Sequence, residues 1–217
     1  DEVGINGAIE NDVKYVSGTT SSQVNFGQIK GSGSFCSMTR YTGATKRRIL
    51  QGPPNWLHGH WSDRAGVARY DGWITSFSNK VNPNTNWVVL CLKGSGCSGY
   101  LNGVAFGGAC QSGTARNVYI NQGGLNQPSD WGVSYIVSWN RDLSNNEMAR
   151  VSNYLIQGHI GDSDQNNSQT ANFVRFSPLG EIFTDTADSD IPIFNVRSSA
   201  GIDADALFSS GPASFCR

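Results

Sequence analysis

Between Trp56 and Trp73 the chain gathers Trp56, Trp61, Tyr70 and Trp73 together with His58 and His60. Flat apolar rings with polar edges are what a sugar needs, because its C–H face stacks on an aromatic ring and its hydroxyls seek hydrogen-bond partners. Trp56, His58, His60, Trp61 and Trp73 are therefore the candidate ligand-binding residues. Trp56 and Trp61, which flank glycines and prolines, are expected at an exposed rim. The same residue types also suit a core, since tryptophans in a sandwich are often interior and strand alternation turns every second side chain inward. Lys46-Arg47-Arg48 is the one compact basic run, and it fits either an acidic glycan or a solvated loop.

The five cysteines, Cys36, Cys91, Cys97, Cys110 and Cys216, show no CxxC pair and no histidine at zinc-ligand spacing. Cys91, Cys97 and Cys110 fall on what reads as two consecutive hairpins. If Lys93 to Gly96 is a four-residue loop, Leu92 lies opposite Cys97 and Cys91 opposite Ser98, so Cys91 and Cys97 point to opposite faces. A two-residue turn at Asn102-Gly103 pairs Leu101 with Val104 and sets Cys97 opposite Gly108, two positions from Cys110. The spacing thus predicts a Cys97–Cys110 disulfide, with buried free thiols as the other reading. A disulfide implies an oxidising compartment, and hence an extracellular or surface location. Asn166-Asn167-Ser168 is a glycosylation sequon, with Asn166 as acceptor.

These residues need a scaffold, and the composition says which kind. The chain has 217 residues, 38% of them hydrophobic, 15% charged, and 26 glycines. That balance favours short strands joined by many turns in one main domain. A formal charge of −1 without a long Lys/Arg block leaves no electrostatic footprint for nucleic acid. No apolar run reaches the roughly 20 residues of a membrane span. The start at Asp1 and the finish at Phe215-Cys216-Arg217 read as cuts from a longer precursor.

Along the chain, Val13 to Val16, Val24 to Phe26, Phe35 to Tyr41 and Arg48 to Gln51 read as brief strands, with Gly52-Pro53-Pro54 forcing a turn. Trp87 to Leu92 and Cys97 to Leu101 form a hairpin, and Val104 to Phe106 returns beside it. Val118 to Ile120 and Val133 to Trp139 complete the series. A helix is predicted over Ser144 to Gln157. Ser144 and Glu147 make a capping box, Met148, Val151 and Leu155 share a face, and Gly158 suits the C-terminus. Residues 1–158 are read as the sandwich, 159–170 as a polar linker, and 171–217 as a tail docking on the sandwich or on a partner.

Trp87-Val88-Val89 followed by Gly99-Tyr100-Leu101-Asn102-Gly103 resembles the central hairpin of concanavalin A-like, laminin-G-like jelly-roll domains. Trp139-Asn140-Arg141-Asp142-Leu143-Ser144 with Glu147 resembles their closing strand and helix. Arg48-Ile49-Leu50, Asn55 to Trp61, Gly66-Val67-Ala68 and Gly72 to Thr75 are similar to the subset found in surface proteins of algae and their large viruses. The resemblance covers about residues 10 to 157 and leaves out the tail. It implies an all-β, two-sheet antiparallel jelly-roll sandwich that binds glycans, glycoproteins or neighbouring domains, sometimes through calcium. No position here matches a calcium-ligand motif of the family, so calcium stays open as the resemblance implies it, with no ligands and no other cofactor assigned.

One sandwich hosts lectins, hydrolases and structural modules alike, so function has to be read from the residues. Glycoside hydrolases of this fold carry their two carboxylates in a Glu-x-Asp-x-x-Glu run. Here Glu2, Glu10, Glu147 and Glu181 show no such arrangement, and Asp63 and Asp71 flank the aromatic block as ordinary loop aspartates. No Gly-x-Ser-x-Gly elbow, His-Glu-x-x-His or P-loop is present. The expectation is a non-enzymatic extracellular recognition module for glycans or glycoproteins. The alternative is a structural building block of a filament, wall or capsid, making contacts to copies of itself.

Overall fold

The computed structural model describes residue 13, residues 15–78, 80–111 and 114–157, and the backbone of short strands at 174–176, 182–183 and 214–215. In chain order the strands are β1 (Val16–Gly18), β2 (Val24–Lys30), β3 (Phe35–Tyr41), β4 (Leu50–Gly52), β5 (Trp56–Trp61), β6 (Arg64–Tyr70), β7 (Gly72–Trp73) and β8 (Val88–Leu92). They continue with β9 (Ser98–Leu101), β10 (Val104–Gly107), β11 (Arg116–Ile120) and β12 (Trp131–Ser138). The helix α1 (Asn145–Gln157) follows, then β13 (Val174–Phe176), β14 (Ile182–Phe183) and β15 (Ser214–Phe215).

The strands build two sheets. One runs β10-β9-β8-β3-β12-β1-β15, with β13 also paired to β12 and β14 to β13; the other runs β2-β11-β4-β5-β6-β7. Neighbouring strands in both are antiparallel. This is an all-β two-sheet sandwich with one short helix. The Asn166 sequon and Cys216 lie outside the described residues, as do the linker and the rest of the tail.

Alternation along the central strand β3 creates two cores. Phe35 and Tyr41 face the second sheet, where they join Leu50, Trp56, Tyr70, Leu90, Ile120 and Trp131. Cys36 and Met38 point the other way and join Trp87, Val89, Cys91, Tyr135 and Val137, beneath Met148, Leu155 and Ile156 of α1. A strand buried on both faces has little tolerance for a register slip, since moving by one residue exchanges the two cores.

The helix starts where the capping box requires. Glu147 N–H donates to Ser144 Oγ at 3.3 Å, and Ser144 N–H donates to Glu147 Oε2 at 2.7 Å, which satisfies two otherwise orphaned donors. Arg141 donates to both Glu147 oxygens, at 3.0 and 2.6 Å. The guanidinium first, and the Ser144 backbone N–H second, hold the Glu147 carboxyl down at about 2. Gly158 falls outside the described residues.

Cys36 and Cys91 sit directly opposite each other on β3 and β8 and are bonded, with Cα atoms 4.1 Å apart. Cys91 therefore finds its partner in a strand distant in sequence rather than in its own hairpins. Cys97 is bonded to Cys110. Asn102 and Gly103 both have positive φ, and Leu101 pairs with Val104 across the turn.

The preceding loop is longer than the sequence reading assumed. Leu92 lies opposite Gly99, and Cys91 opposite Tyr100, two positions beyond the four-residue-loop register. The extra length lets Gly94 press against the Ser32 carbonyl, where an added Cβ would stand 1.7 Å from the oxygen, and donate its N–H to Asp142 at 2.6 Å. Because the slip is by two, every side chain keeps its face. The first strand also begins later than expected: Tyr15 precedes β1 and packs edge-on against Trp87, ring centroids 5.1 Å apart.

Candidate functional site

The Trp56 to Trp73 block is the hairpin β5–β6 with the short β7 beside it. Its alternation sorts the sequence candidates into two groups. Trp56, His58 and His60 turn into the sandwich and are fully buried. Phe35 stands edge-on to Trp56 and to His58, while Trp56 and Tyr70 stack. His58 shares hydrogen bonds with Tyr70 Oη through Nδ1 (2.8 Å) and the Leu90 carbonyl through Nε2 (3.0 Å), and His60 Nδ1 meets Thr39 Oγ1 at 3.2 Å. Burial pushes both imidazoles down to about 3, so they are neutral. These three residues are core, which corrects their assignment as ligand contacts; the rim position expected of Trp56 goes with it.

Trp61 and Trp73 turn outward. Their rings meet edge to face with centroids 5.1 Å apart, and Phe77, 58% exposed, extends the surface 6.0 Å from Trp73. The Arg64 guanidinium lies over Trp61 at 5.0 Å from its ring centroid, and that of Arg69 over Trp73 at 5.9 Å. The result is a row of arginine, indole, indole and arginine on the outer face of the second sheet. Leu57 and Val67, both fully buried, alternate with the core-facing positions and belong to this same side.

Sequence reading did not single out Arg64, Arg69 or Phe77. The two arginines are an odd number of positions apart, so a regular strand would send them to opposite faces. A bulge restores them to one face: His60 pairs with Ala65 and Gly59 with Val67, leaving Gly66, at φ +79°, as the extra residue. The signal available in the sequence was the glycine inside a strand pattern.

The basic run dissolves in the fold. Lys46 pairs with Asp63 at 3.4 Å, and Arg48 is buried, donating to Gln127 Oε1 (2.7 Å) and Asn55 Oδ1 (2.8 Å). Asp63 and Asp71 sit in the turns at opposite ends of β6, so the strand holds them about 25 Å apart, too far to flank a glycosidic bond. Asp71 is also ion-paired with Arg116. Glu147 is engaged as the helix cap. Among the described residues no group of three or more His, Cys, Asp or Glu side chains is placed to hold a metal ion. No described helix is long and apolar enough to cross a membrane.

A separate cleft of about 400 Å³ opens beside the edge strand β10, lined by Ile74, Lys80, Val81, Leu101, Val104 and Phe106 among others. The Cys97–Cys110 bond borders this region. It holds the stretch after β10 against β7, where Gly108 packs on Ile74 and Gln111 on Gly72.

No protein-family model matches the chain, and no curated protein sequence does. Among solved structures, a "putative carbohydrate binding protein" from Bacteroides ovatus matches with TM-score 0.43 and 13% identity over 76% of this chain and 52% of that one. The chain thus spans about half the length of the structure it matches.

Proposed function

We propose that this chain is a non-catalytic extracellular recognition module of laminin-G-like type that binds glycans or glycoproteins through the outer face around Trp61 and Trp73. The observation that carries the reading is the half-exposed Trp61–Trp73 pair, extended by Phe77 and bracketed by Arg64 and Arg69. Such rings present the apolar faces on which sugar C–H groups stack, and the arginines supply donors for hydroxyls at the edge. The two disulfides support an oxidising location. The tail's docking on the sandwich belongs to the same proposal. A glycan array with Trp61→Ala and Trp73→Ala tests it: binding is expected to fall at least about tenfold in each variant while cooperative unfolding persists.

Self-association in a surface assembly is a second reading. It is favoured by Val104, 66% exposed on the edge strand β10 beside the apolar cleft. Size-exclusion chromatography over a range of concentrations distinguishes it, because a building block elutes as larger species as concentration rises.

A further inference from the structure

We infer that the outer face recognises a uronic-acid polysaccharide, each sugar ring stacking on an indole and its carboxylate pairing with the neighbouring guanidinium. This deepens the proposed glycan-binding role and rests on it. The ground is a charge imbalance on one face. The Arg64 guanidinium donates a single hydrogen bond among the described residues, to the Ser62 carbonyl at 3.1 Å, and meets no carboxylate there. Arg69 has no ion pair there, and its Nε–H has no partner. Arg48 is held among the described residues by the neutral Gln127 and Asn55, and its buried Nη1 has no partner among them. Its pKa is lowered by burial first and by the like charge of Arg69 second. The nearest acidic side chains in the flanking turns are already engaged, Asp63 by Lys46 and Asp71 by Arg116.

Arginines gathered without counter-ions repel one another, and an anion over Arg69 relieves that repulsion. The geometry favours a carboxylate over a sulfate ester. Arg64 has Nη1 on the Ser62 carbonyl and Arg69 has Nε buried, so each guanidinium, lying over its indole, offers one planar fork, which a carboxylate fills with two parallel hydrogen bonds. A uronic acid carries that group directly on the ring that stacks, whereas a sulfate ester projects three oxygens that a single fork leaves partly unmatched.

The experiment is titration calorimetry of the whole chain with polygalacturonate, with its fully methyl-esterified form, and with dextran sulfate as the sulfated comparison free of carboxylates, at two salt concentrations, alongside the glycan array. Polygalacturonate is expected to bind best, with affinity falling as salt rises and about tenfold lower for each of Arg64→Gln and Arg69→Gln. Lys93→Gln, in the remote β8–β9 loop, is expected to change nothing. Equal binding of the methyl ester would overturn the carboxylate while leaving glycan recognition standing, and preference for dextran sulfate, which carries no carboxylate, would overturn uronate specificity. Absence of binding to every glycan on the array would remove the underlying function as well.

Discussion

The two buried histidines make stability depend on pH in a way that can be worked from the structure. His58 and His60 are held near 3 in the fold, against an ordinary value of 6.5 in the unfolded chain. The unfolded state therefore binds more protons between those limits, and stability falls as the solution is acidified through that window. At pH 5 each histidine costs about 2 kcal/mol relative to pH 8, so the pair costs about 4 kcal/mol. That is a large share of the about 5–15 kcal/mol typical of a folded domain. Glu147, whose folded value is about 2, keeps its contribution above the ordinary carboxylate value of 4.5 and loses it only further down, so it adds little to the difference between pH 8 and pH 5. Urea melts followed by tryptophan fluorescence at pH 8 and pH 5 should show the loss. His58→Gln and His60→Gln, though less stable in absolute terms, should each retain about half of the pH difference. Equal unfolding free energies at the two pH values, or a full pH difference in both variants, would refute the reasoning.

Trp56→Ala should cost about 3–5 kcal/mol because it empties the centre of the sandwich, whereas Trp61→Ala should cost under about 1.5 kcal/mol; urea midpoints compare them directly. Lys30 is almost fully buried, has Nζ bonded to the Gly31 carbonyl at 2.9 Å, and is pushed down to about 8 chiefly by burial. Lys30→Met should therefore stabilise the fold by about 2 kcal/mol at pH 7, with the gain shrinking by pH 10 as the wild-type amine loses its charge. Replacing Cys36 and Cys91 by alanine opens a 55-residue separation and should cost about 4 kcal/mol, against about 3 for the 13-residue Cys97–Cys110 link, as measured by thermal melts. No common polysaccharide should be hydrolysed, and Asp63→Asn or Asp71→Asn should leave any background unchanged; reducing-sugar release is the readout.

What was legible in the sequence was local. The Asn102-Gly103 turn fixes the register of β9 and β10, so Cys97 and Cys110 could be brought together without knowing the rest of the fold. The Ser144 and Glu147 box likewise located the helix from four consecutive residues. Cys36–Cys91 was not legible, because nothing near either cysteine states that β3 lies beside β8. Trp56-Leu57-His58-Gly59-His60-Trp61 alternates clearly but does not say which half faces inward. Imidazoles suit a solvated rim or, as here, a core that pairs both nitrogens of His58, with Tyr70 and the Leu90 carbonyl, and one nitrogen of His60, with Thr39. The partner strands made that choice. The same limit hid Arg69, whose face depends on the bulge at Gly66.

Among the described residues α1 packs over Cys36, Cys91 and their neighbours on the outer side of the first sheet, and on the proposed reading that cover sets a valence. If the Trp61–Trp73 surface binds sugars as proposed, it is one such surface among the described residues of each copy, so a single encounter has the strength of one short stretch of sugars. On that reading firm attachment comes from repetition, with several copies on a shared surface engaging the same polysaccharide. A second contact made by a tethered neighbour occurs at an effective concentration in the millimolar range, and avidity rises about 100-fold or more without any new interaction in the individual module.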